Sequence, residues 1–315
     1  MLQARERPPL TEPVFSTDIK LSAVRDQVTV VIPTLNEEEA IGPLIEEVRS
    51  QGLDKILVAD GYSTDKTTAI ASGLGVEVVM QYGKGKAGAL LTAFQRVRTP
   101  YLVVMDGDGS YDPADIVKMI PMAKDFDFVK GIRERNQSMS KIHKLGNSVI
   151  TRTFDILFGT SIGDVCSGMY LLKSDKARDL HPERHPMAVE QEIAAEMVFA
   201  SGSITTIPIR YRKRAGGESK VNTWRQGIRD LWTNFDLART FNPILLFSAL
   251  ATLALFPAFI ILTYAVYLQI SFNQYHSGFF LAGLVLVVLG AQGFTVGTIA
   301  GMLRRIDRRI SQLIA

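Results

Sequence analysis

The chain has 315 residues, of which 47% are hydrophobic and 21% charged, and its formal net charge is +3. This length accommodates one large or two modest domains. The small net charge argues against a general polyanion-binding surface, so we expect no nucleic-acid partner. Cys166 is the single cysteine, which excludes an internal disulfide and fits a reducing compartment.

The chain opens with a polar, proline-containing stretch, MLQARERPPLTEP. It lacks the apolar core that a cleavable signal peptide requires. We therefore expect residues 1–27 to form a flexible N-terminal extension.

Apolar, β-branched runs then alternate with stretches of helical pattern. The expected strands are Val28–Ile32, Ile56–Ala59, Val76–Met80, Leu102–Met105 and the surroundings of Phe128. The expected helices are Glu37–Gln51, Lys66–Gly73, Lys86–Val97 and Pro113–Ala123. This alternation predicts a doubly wound α/β sheet, in which ligands bind beyond the carboxyl ends of the strands.

Polar residues collect at those strand ends. Pro33, Asn36 and Glu37 follow the first expected strand, Asp60 ends the second, and Asp106 and Asp108 follow the fourth. The last two form a D-x-D pair in MDGDGSYDP, which we expect at the protein surface. Two such carboxylates can hold one hard divalent cation, Mg²⁺ or Mn²⁺, together with its bound phosphates.

Two other interpretations of this acidic turn exist. The odd-numbered acidic and hydroxyl positions resemble an EF-hand loop, but Tyr111 and Val117 occupy the places where that loop needs Gly and Glu. A purely structural turn, with Asp112 capping the helix behind Pro113, stays open.

Two further segments suggest nucleotide contacts. In VADGYSTDKT, the Asp60 carboxylate could accept hydrogen bonds from a base or a ribose. In QYGKGKAGAL, glycines and lysines open a helix whose amides can meet phosphate. Ala87 takes the place of the hydroxyl residue that a Walker P-loop needs, so NTP hydrolysis is not predicted.

The C-terminal part is free of charge from Thr240 to Leu303. Ile244–Ile270 and Gly278–Leu303 each reach the length of a bilayer crossing, and Ser271–Ser277 links them. A buried hairpin of a soluble protein is the alternative, but this stretch lacks the polar face that such helices need.

Arginines flank this hairpin on both sides, whereas the link contains neither Lys nor Arg. The positive-inside rule therefore places the α/β part and both termini in the cytoplasm, as in a multi-pass protein of the cell membrane. Residues 304–315 form the basic tail. Residues 223–241 are expected to form an amphipathic interfacial helix, with a core helix as the alternative. The apolar face would comprise Trp224, Ile228, Leu231, Trp232, Phe235 and Ala238.

In chain order, the segments VVIPTLNEEEAI, DGYSTDKT, GKGKAGAL, DGDGSYDP, DVCSGMYLLKSD and RKRAGGESK resemble family 2 glycosyltransferases of GT-A fold. The closest similarity is to polyprenyl-phosphate hexose synthases, the dolichyl-phosphate mannose or glucose synthase group. The resemblance implies a Rossmann-like GT-A domain over residues 28–222, followed by the transmembrane hairpin of residues 244–303.

The resemblance also implies roles for individual residues. The nucleotide-sugar would contact Pro33, Asn36, Glu37, Asp60, Lys86 and Asp106. The metal would bind Asp106 and Asp108, which with Arg133, Asp164 and Arg214 would form the catalytic set. The acceptor phosphate would contact Arg133, Ser167, Arg214, Ser219 and Lys220. A solvated basic face near the membrane is the alternative for the basic residues.

The implied reaction moves a hexose from a nucleotide-sugar of the GDP-mannose or UDP-glucose type to a polyprenyl or dolichyl phosphate, with inversion. The partners are thus the donor, the lipid phosphate and the bilayer, and homo-oligomerisation is left open. The alternative is extension of a lipid-linked glycan or polysaccharide by a sugar hydroxyl, which needs a base. Glu190–Glu192 is the nearest acidic run for that role. A non-catalytic membrane scaffold or sensor is the remaining alternative.

Overall fold

The computed structural model describes residues 25–134, 141–182, 188–214 and 223–314. In the part of the chain it describes, seven strands form one sheet in the order β3-β2-β1-β4-β6-β5-β7. The strands are β1 (Val28–Thr34), β2 (Ile56–Asp60), β3 (Glu77–Met80), β4 (Tyr101–Val104), β5 (Phe128–Arg133), β6 (Tyr170–Lys173) and β7 (Ile204–Ile209).

The helices of the domain lie between these strands. They are α1 (Ile41–Ser50), α2 (Thr67–Gly73), α3 (Gly85–Arg96), α4 (Ala114–Met119), α5 (Lys141–Phe158), α6 (Ser174–Arg178) and α7 (Val189–Phe199). A short 3-10 helix, Ile120–Lys124, continues α4. The expected α/β alternation is confirmed for the first half of the domain.

The sheet is not wholly parallel. β1 pairs in parallel with β2 and β4, but β6 runs antiparallel to both β4 and β5. The expected doubly wound pattern therefore holds from β3 to β4 and changes at β6. β1 is also longer than expected, so Pro33 lies inside this strand and is buried there, and does not follow it.

Two apolar layers enclose the sheet. Residues of α3, α5 and α7 cover one face around Phe94, Phe154 and Ile193. Residues of α1 and α4 cover the other around Ile45 and Ile116. Both faces of the parallel strands are therefore buried, which explains their unbroken apolar runs. Polar groups can reach solvent at the strand ends.

Helix α8 (Thr223–Phe241) divides its residues differently from the expected interfacial face. Leu237 and Ala238 are fully buried against the domain, and Asn234 Nδ2 donates to the Ile150 carbonyl of α5 at 2.8 Å. Ile228 and Trp232 are 68% and 72% exposed. The helix therefore has one core face and one exposed apolar face, so Ala238 was wrongly grouped with Trp232.

Two long apolar helices follow, α9 (Pro243–Phe272) and α10 (Ser277–Ile314). Both are long and apolar enough to cross a bilayer over Pro243–Phe272 and Ser277–Leu303. They pack as a hairpin around small residues. Buried alanines recur every seven residues on α9, at Ala251, Ala258 and Ala265. Glycines face α9 from α10 at Gly283, Gly290, Gly293, Gly297 and Gly301, as small residues do in membrane helix pairs.

Candidate active site

The carboxyl ends of β1, β2 and β4 meet at one edge of the sheet because these strands are parallel neighbours. Asp60 ends β2, and Asp106 and Asp108 follow β4, as expected from the sequence. The turn after β4 fits tightly against β1. A Cβ atom at Gly107 would lie 2.8 Å from Thr34 Cγ2 and 3.2 Å from the Pro33 carbonyl oxygen.

The D-x-D turn is more buried than expected. Asp108 is only 9% exposed, and its Oδ1 accepts hydrogen bonds from the amide and hydroxyl of Ser110, at 3.0 and 2.6 Å. The expectation of a surface turn therefore holds only in part, since Asp108 is buried while the Asp106 side chain is 29% exposed. The segment between α5 and β6 covers the turn: a Cβ atom at Gly168 would collide with the Asp106 carboxylate.

Cations bridge the carboxylates of this edge. Lys86, at the start of α3, contacts both Asp106 and Glu190. Although burial alone would lower the pKa of Lys86, these two carboxylates raise it well above its ordinary value. Arg214 Nε lies 2.8 Å from Asp108 Oδ2, and its Nη2 lies 3.3 Å from Glu37 Oε1. Lys86 thus bridges Asp106 and Glu190, and Arg214 bridges Asp108 and Glu37.

The sharing of cations bears on metal binding. Among the described residues, Lys86 pairs with both Asp106 and Glu190, and Arg214 pairs with both Asp108 and Glu37, so each cation is shared by two carboxylates. Within the described ranges, no three His, Cys, Asp or Glu side chains form a ready-made metal site. Mg²⁺, however, is commonly held by one or two carboxylates together with substrate phosphates. The residues at the D-x-D turn therefore fit a divalent cation that binds with a diphosphate.

Arg133 and Asp164 form a separate ion pair beside this cluster. Arg133 Nε and Nη2 donate to the two carboxylate oxygens of Asp164 at 2.7 and 2.9 Å. Both side chains are largely buried, and the guanidinium lies 5.3 Å from the Tyr211 ring centroid. Although burial alone would lower it, Tyr111 and Asp164 raise the pKa of Arg133 well above its ordinary value. The Arg133 guanidinium is thus already paired with the Asp164 carboxylate, unlike an isolated cation that would bind phosphate directly.

A small polar cavity of about 30 Å³ adjoins this pair. It is lined by Ile132, Arg133, Lys144, Asn147, Ser148, Thr151, Gly163 and Asp164. The polar residues from Lys144 to Thr151 belong to α5, for which the sequence analysis made no prediction. The cavity brings Arg133 and Asp164 together with that helix.

The loops after β1 and β2 are joined by hydrogen bonds. Asn36 adopts a left-handed backbone (φ 57°), and its Oδ1 accepts from the Thr64 amide at 2.7 Å. Asp60 is fully buried and accepts from Ser63 N, Ser63 Oγ and Thr34 Oγ1 at 2.7, 2.6 and 3.0 Å. The structure therefore assigns Asp60 to the support of these loops, which differs from the expected contact with a base or ribose.

Burial also changes the expectation for Ser167. The Ser167 side chain is fully buried, and the Ser167 backbone carbonyl oxygen accepts a hydrogen bond from Lys130 Nζ at 2.7 Å. A phosphate could not reach its hydroxyl without movement of the surrounding chain. Pro33 is likewise buried. Ser219 and Lys220 lie outside the described residues.

Sequence reasoning missed two residues of this site. The sequence suggests Glu190 only as a base for hydroxyl acceptors. In the structure its carboxylate contacts Lys86, which lies 104 positions earlier in the chain and also pairs with Asp106. Lys130 was not singled out, although it is fully buried beneath Ser167. The available signal was a charged residue in the middle of a strand, FVKGIR, whose other charged residue, Arg133, stands at its end.

The comparisons with known proteins agree on the class of the domain. Residues 29–180 match the family described as Glycosyl transferase family 2. The chain is 27% identical over 289 residues to Glycosyltransferase AglJ of Haloferax volcanii, covering 90% of this chain and 95% of that relative. It is 28% identical over 207 residues to a Dolichyl-phosphate hexose transferase of the same organism, covering 64% of this chain and 90% of the relative.

Solved structures show the same fold. One is glucosyl-3-phosphoglycerate synthase from Mycobacterium tuberculosis in complex with Mn²⁺, UDP-glucose and phosphoglyceric acid. It aligns with a TM-score of 0.57 and 18% identity, over 74% of this chain and 86% of that protein. The GT-A-like architecture expected from the sequence is thereby confirmed.

Proposed function

Since residues 29–180 form a family 2 glycosyltransferase domain, the protein is a glycosyltransferase, and we propose that it transfers a hexose from a nucleotide-sugar to a polyprenyl phosphate at a membrane surface. The relative named Dolichyl-phosphate hexose transferase supports this acceptor class. The donor class is supported by the UDP-glucose complex of the similar solved structure. The sequence resemblance leaves GDP-mannose as the other donor.

The acceptor assignment rests on α5, which combines polar side chains at a cavity with exposed apolar side chains. Lys144 and Ser148 line the polar cavity beside Arg133, while the neighbouring residues Leu145 and Val149 are 68% and 45% exposed. One helix therefore carries a polar site and exposed apolar side chains. A lipid phosphate has the same combination, an anionic head on an apolar chain.

The exposed faces of α5 and α8 also support a seat on the bilayer. Besides Leu145 and Val149, α5 exposes Ile156, and α8 exposes Ile228, Trp232 and Phe235. Exposed apolar side chains, including a Trp, on helices next to spanning segments favour the membrane interface. Asn242 Nδ2 donates to the Leu157 carbonyl of α5 at 2.9 Å, which ties the start of the hairpin to the domain.

The reaction we propose needs positioning and charge more than proton transfer. A phosphate is anionic near neutral pH, so it can attack the anomeric carbon without a strong base. Asp106 and Asp108 would hold Mg²⁺ or Mn²⁺, which supplies charge neutralisation for the departing diphosphate. Lys86 and Arg214 add positive charge at the same edge. Arg214 is the more exposed of the two and presents the planar set of donors that suits phosphate oxygens.

A direct assay tests the acceptor. The full chain in lipid nanodiscs should transfer labelled hexose from GDP-mannose or UDP-glucose to polyprenyl phosphate, giving an acid-labile product without any pre-existing glycan. Polyprenol without phosphate is the matched control and should stay unlabelled. Arg214→Gln should lower the rate about ten- to a hundredfold, as expected for one charge-assisted contact. Label found only on longer saccharides, with polyprenyl phosphate ignored, would contradict the proposal.

Glu190 supports one rival assignment, extension of a glycan by a sugar hydroxyl. Its carboxylate lies at the D-x-D cluster, where a base for such an acceptor would be needed. In the structure this carboxylate is already engaged in an ion pair with Lys86, which also pairs with Asp106. The size of the effect of Glu190→Gln, given in the Discussion, separates the two assignments.

We further propose that the catalytic domain and both termini are cytoplasmic, with only the turn between α9 and α10 outside. A cysteine placed at Asn273 in a Cys166→Ser background should react with impermeant thiol reagents on intact cells. The background change removes the native thiol, whose pKa burial already raises to about 12, which disfavours the reactive thiolate. Labelling at Ser311→Cys instead of Asn273→Cys would reverse the topology.

A further inference from the structure

Lys130 lies in the middle of β5 and is fully buried. In the sheet it pairs directly opposite Tyr170 of β6. Its Nζ donates to the Ser167 carbonyl oxygen at 2.7 Å and lies 4.9 Å from the centroid of the Tyr170 ring. Lys130 thus contacts the segment that leads from Asp164 to β6.

The ammonium group of Lys130 is unfavourably placed for stability. Among the described residues, no carboxylate lies within ion-pair distance of its Nζ. Burial lowers the pKa of Lys130 to about 8, against the opposing influence of Glu190 and Asp164. A hydrocarbon side chain at this position would avoid the cost of burying a charge. The hydrogen bond to the Ser167 carbonyl is the one direct polar contact that the structure gives this ammonium group within the described residues, besides its approach to the Phe128 and Tyr170 rings.

The Ser167 segment connects Lys130 to the D-x-D turn. The next residue, Gly168, donates its amide hydrogen to Tyr111 Oη at 2.7 Å. Its Cα is so close to Asp106 that a Cβ atom would lie 2.8 Å from the Asp106 carboxyl carbon. The Gly168 backbone thus forms a wall against which the Asp106 carboxylate rests.

We propose that Lys130 is a positioning residue, which acts through the Ser167 carbonyl to hold the Gly168 backbone against the Asp106 carboxylate and so fixes the orientation of that carboxylate. The proposal rests on the proposed function only where Asp106 is taken as a ligand of the donor's metal ion. The mechanical part, from Lys130 to Gly168, is independent of it. Partners that orient metal ligands commonly matter for metal affinity.

Hydrogen exchange tests the mechanical part. In the full chain without donor or metal, Lys130→Met should accelerate exchange of the Gly168 amide, because the Ser167 carbonyl loses its donor. Lys173→Met is the matched control, since Lys173 lies on the neighbouring strand β6 and pairs with Asp127 at 2.9 Å. Unchanged exchange at Gly168 in a folded Lys130→Met protein would overturn the proposal. Should that variant not fold, Lys130→Gln takes its place, because its shorter neutral side chain weakens the contact with the Ser167 carbonyl. Gly168 should then exchange faster than in the wild type, and unchanged exchange in a folded Lys130→Gln protein would overturn the proposal.

Manganese binding tests the consequence. Electron paramagnetic resonance measures the concentration of free Mn²⁺, and so the Mn²⁺ affinity, in the presence of GDP or UDP. Lys130→Met should bind Mn²⁺ about tenfold more weakly than the wild type. Lys173→Met should bind as the wild type does, even if it is less stable. Equal Mn²⁺ affinity in Lys130→Met and the wild type would overturn the link to Asp106. No Mn²⁺ binding by the wild type would instead contradict the proposed metal site, and hydrogen exchange would still decide the positioning role.

Discussion

Carboxylates lie at both ends of the central sheet, but their partners differ. At the amino end of β5, Asp127 accepts from Ser203 N and Ser203 Oγ, both at 2.8 Å, and from Lys173 Nζ at 2.9 Å. The Asp127 carboxylate thus accepts hydrogen bonds from a backbone amide, a hydroxyl group and a lysine ammonium group. At the carboxyl end, four carboxylates share Lys86 and Arg214.

The difference separates a structural brace from a reactive site. Asp127 joins β5, β6 and the start of β7, and its charge is matched by one lysine. At the other end each of the described cations Lys86 and Arg214 is shared by two carboxylates, and part of the site is accessible, since the Asp106 side chain is 29% exposed. Carboxylates held close together at an accessible strand end are typical of functional sites.

The largest effect is expected from Asp108→Asn. The amide keeps an oxygen for the hydrogen bonds from Ser110 but removes the charge that would bind the metal. Transfer should fall at least about a thousandfold, because metal coordination supplies several kcal/mol and each ~1.4 kcal/mol is a factor of ten in rate. Initial rates and the thermal unfolding midpoint measure this, and the midpoint should change little. Near-normal transfer, or full wild-type activity in excess EDTA, would remove the metal from the mechanism.

Glu190→Gln should have an intermediate effect. Lys86 then keeps Asp106 as its charged partner and an amide oxygen in place of the second carboxylate, so we expect a loss of about tenfold in kcat/KM for polyprenyl phosphate. The pH–rate profile should keep its shape. A loss of about a hundredfold or more, together with the disappearance of the acidic limb, is the behaviour of a general base and would favour the hydroxyl-acceptor assignment.

The smallest effect on activity is expected from Asp127→Asn, the same type of change at the other end of the sheet. Although partial burial would raise it, hydrogen bonds from Lys173 and Ser203 lower the pKa of Asp127 to about 2. A lowered carboxyl pKa stabilises the fold above the unfolded value of 3.8, and this stabilisation is lost as the pH falls toward 2. The variant should therefore lose about 2 kcal/mol of unfolding free energy at pH 7.

Chemical denaturation at pH 7 and at pH 3 checks this prediction. The stability gap between the wild type and Asp127→Asn should narrow at the lower pH, while transfer at pH 7 stays normal. A gap that is the same at both values would mean that Asp127 contributes through packing and not through its charge. Loss of transfer at full stability would show that the two ends of the sheet are coupled.

Much of the architecture was predictable because its signals are local. The alternation of β-branched runs with helical pattern identified β1 to β4, and the uncharged stretch after Thr240 identified the hairpin. The position of the D-x-D pair followed from the end of β4. β6 could not be predicted in the same way. Its antiparallel partners β4 and β5 are distant in the chain, so no alternation with a neighbouring helix indicates how it pairs.

The sequence by itself therefore determined the fold class, the two apolar helices and the acidic turn. Their signals are the period of hydrophobic residues, the length of apolar stretches and the residues typical of turns, all of which are read from residues adjacent in the chain. Tertiary structure alone decided how the charges are distributed. The packing of the elements brings Glu190 to Lys86 and Arg133 to Asp164, and it buries Asp60 and Ser167 among hydrogen-bond partners within the protein. These contacts join residues far apart in the sequence, and their energies depend on local solvent exclusion, which no local pattern records.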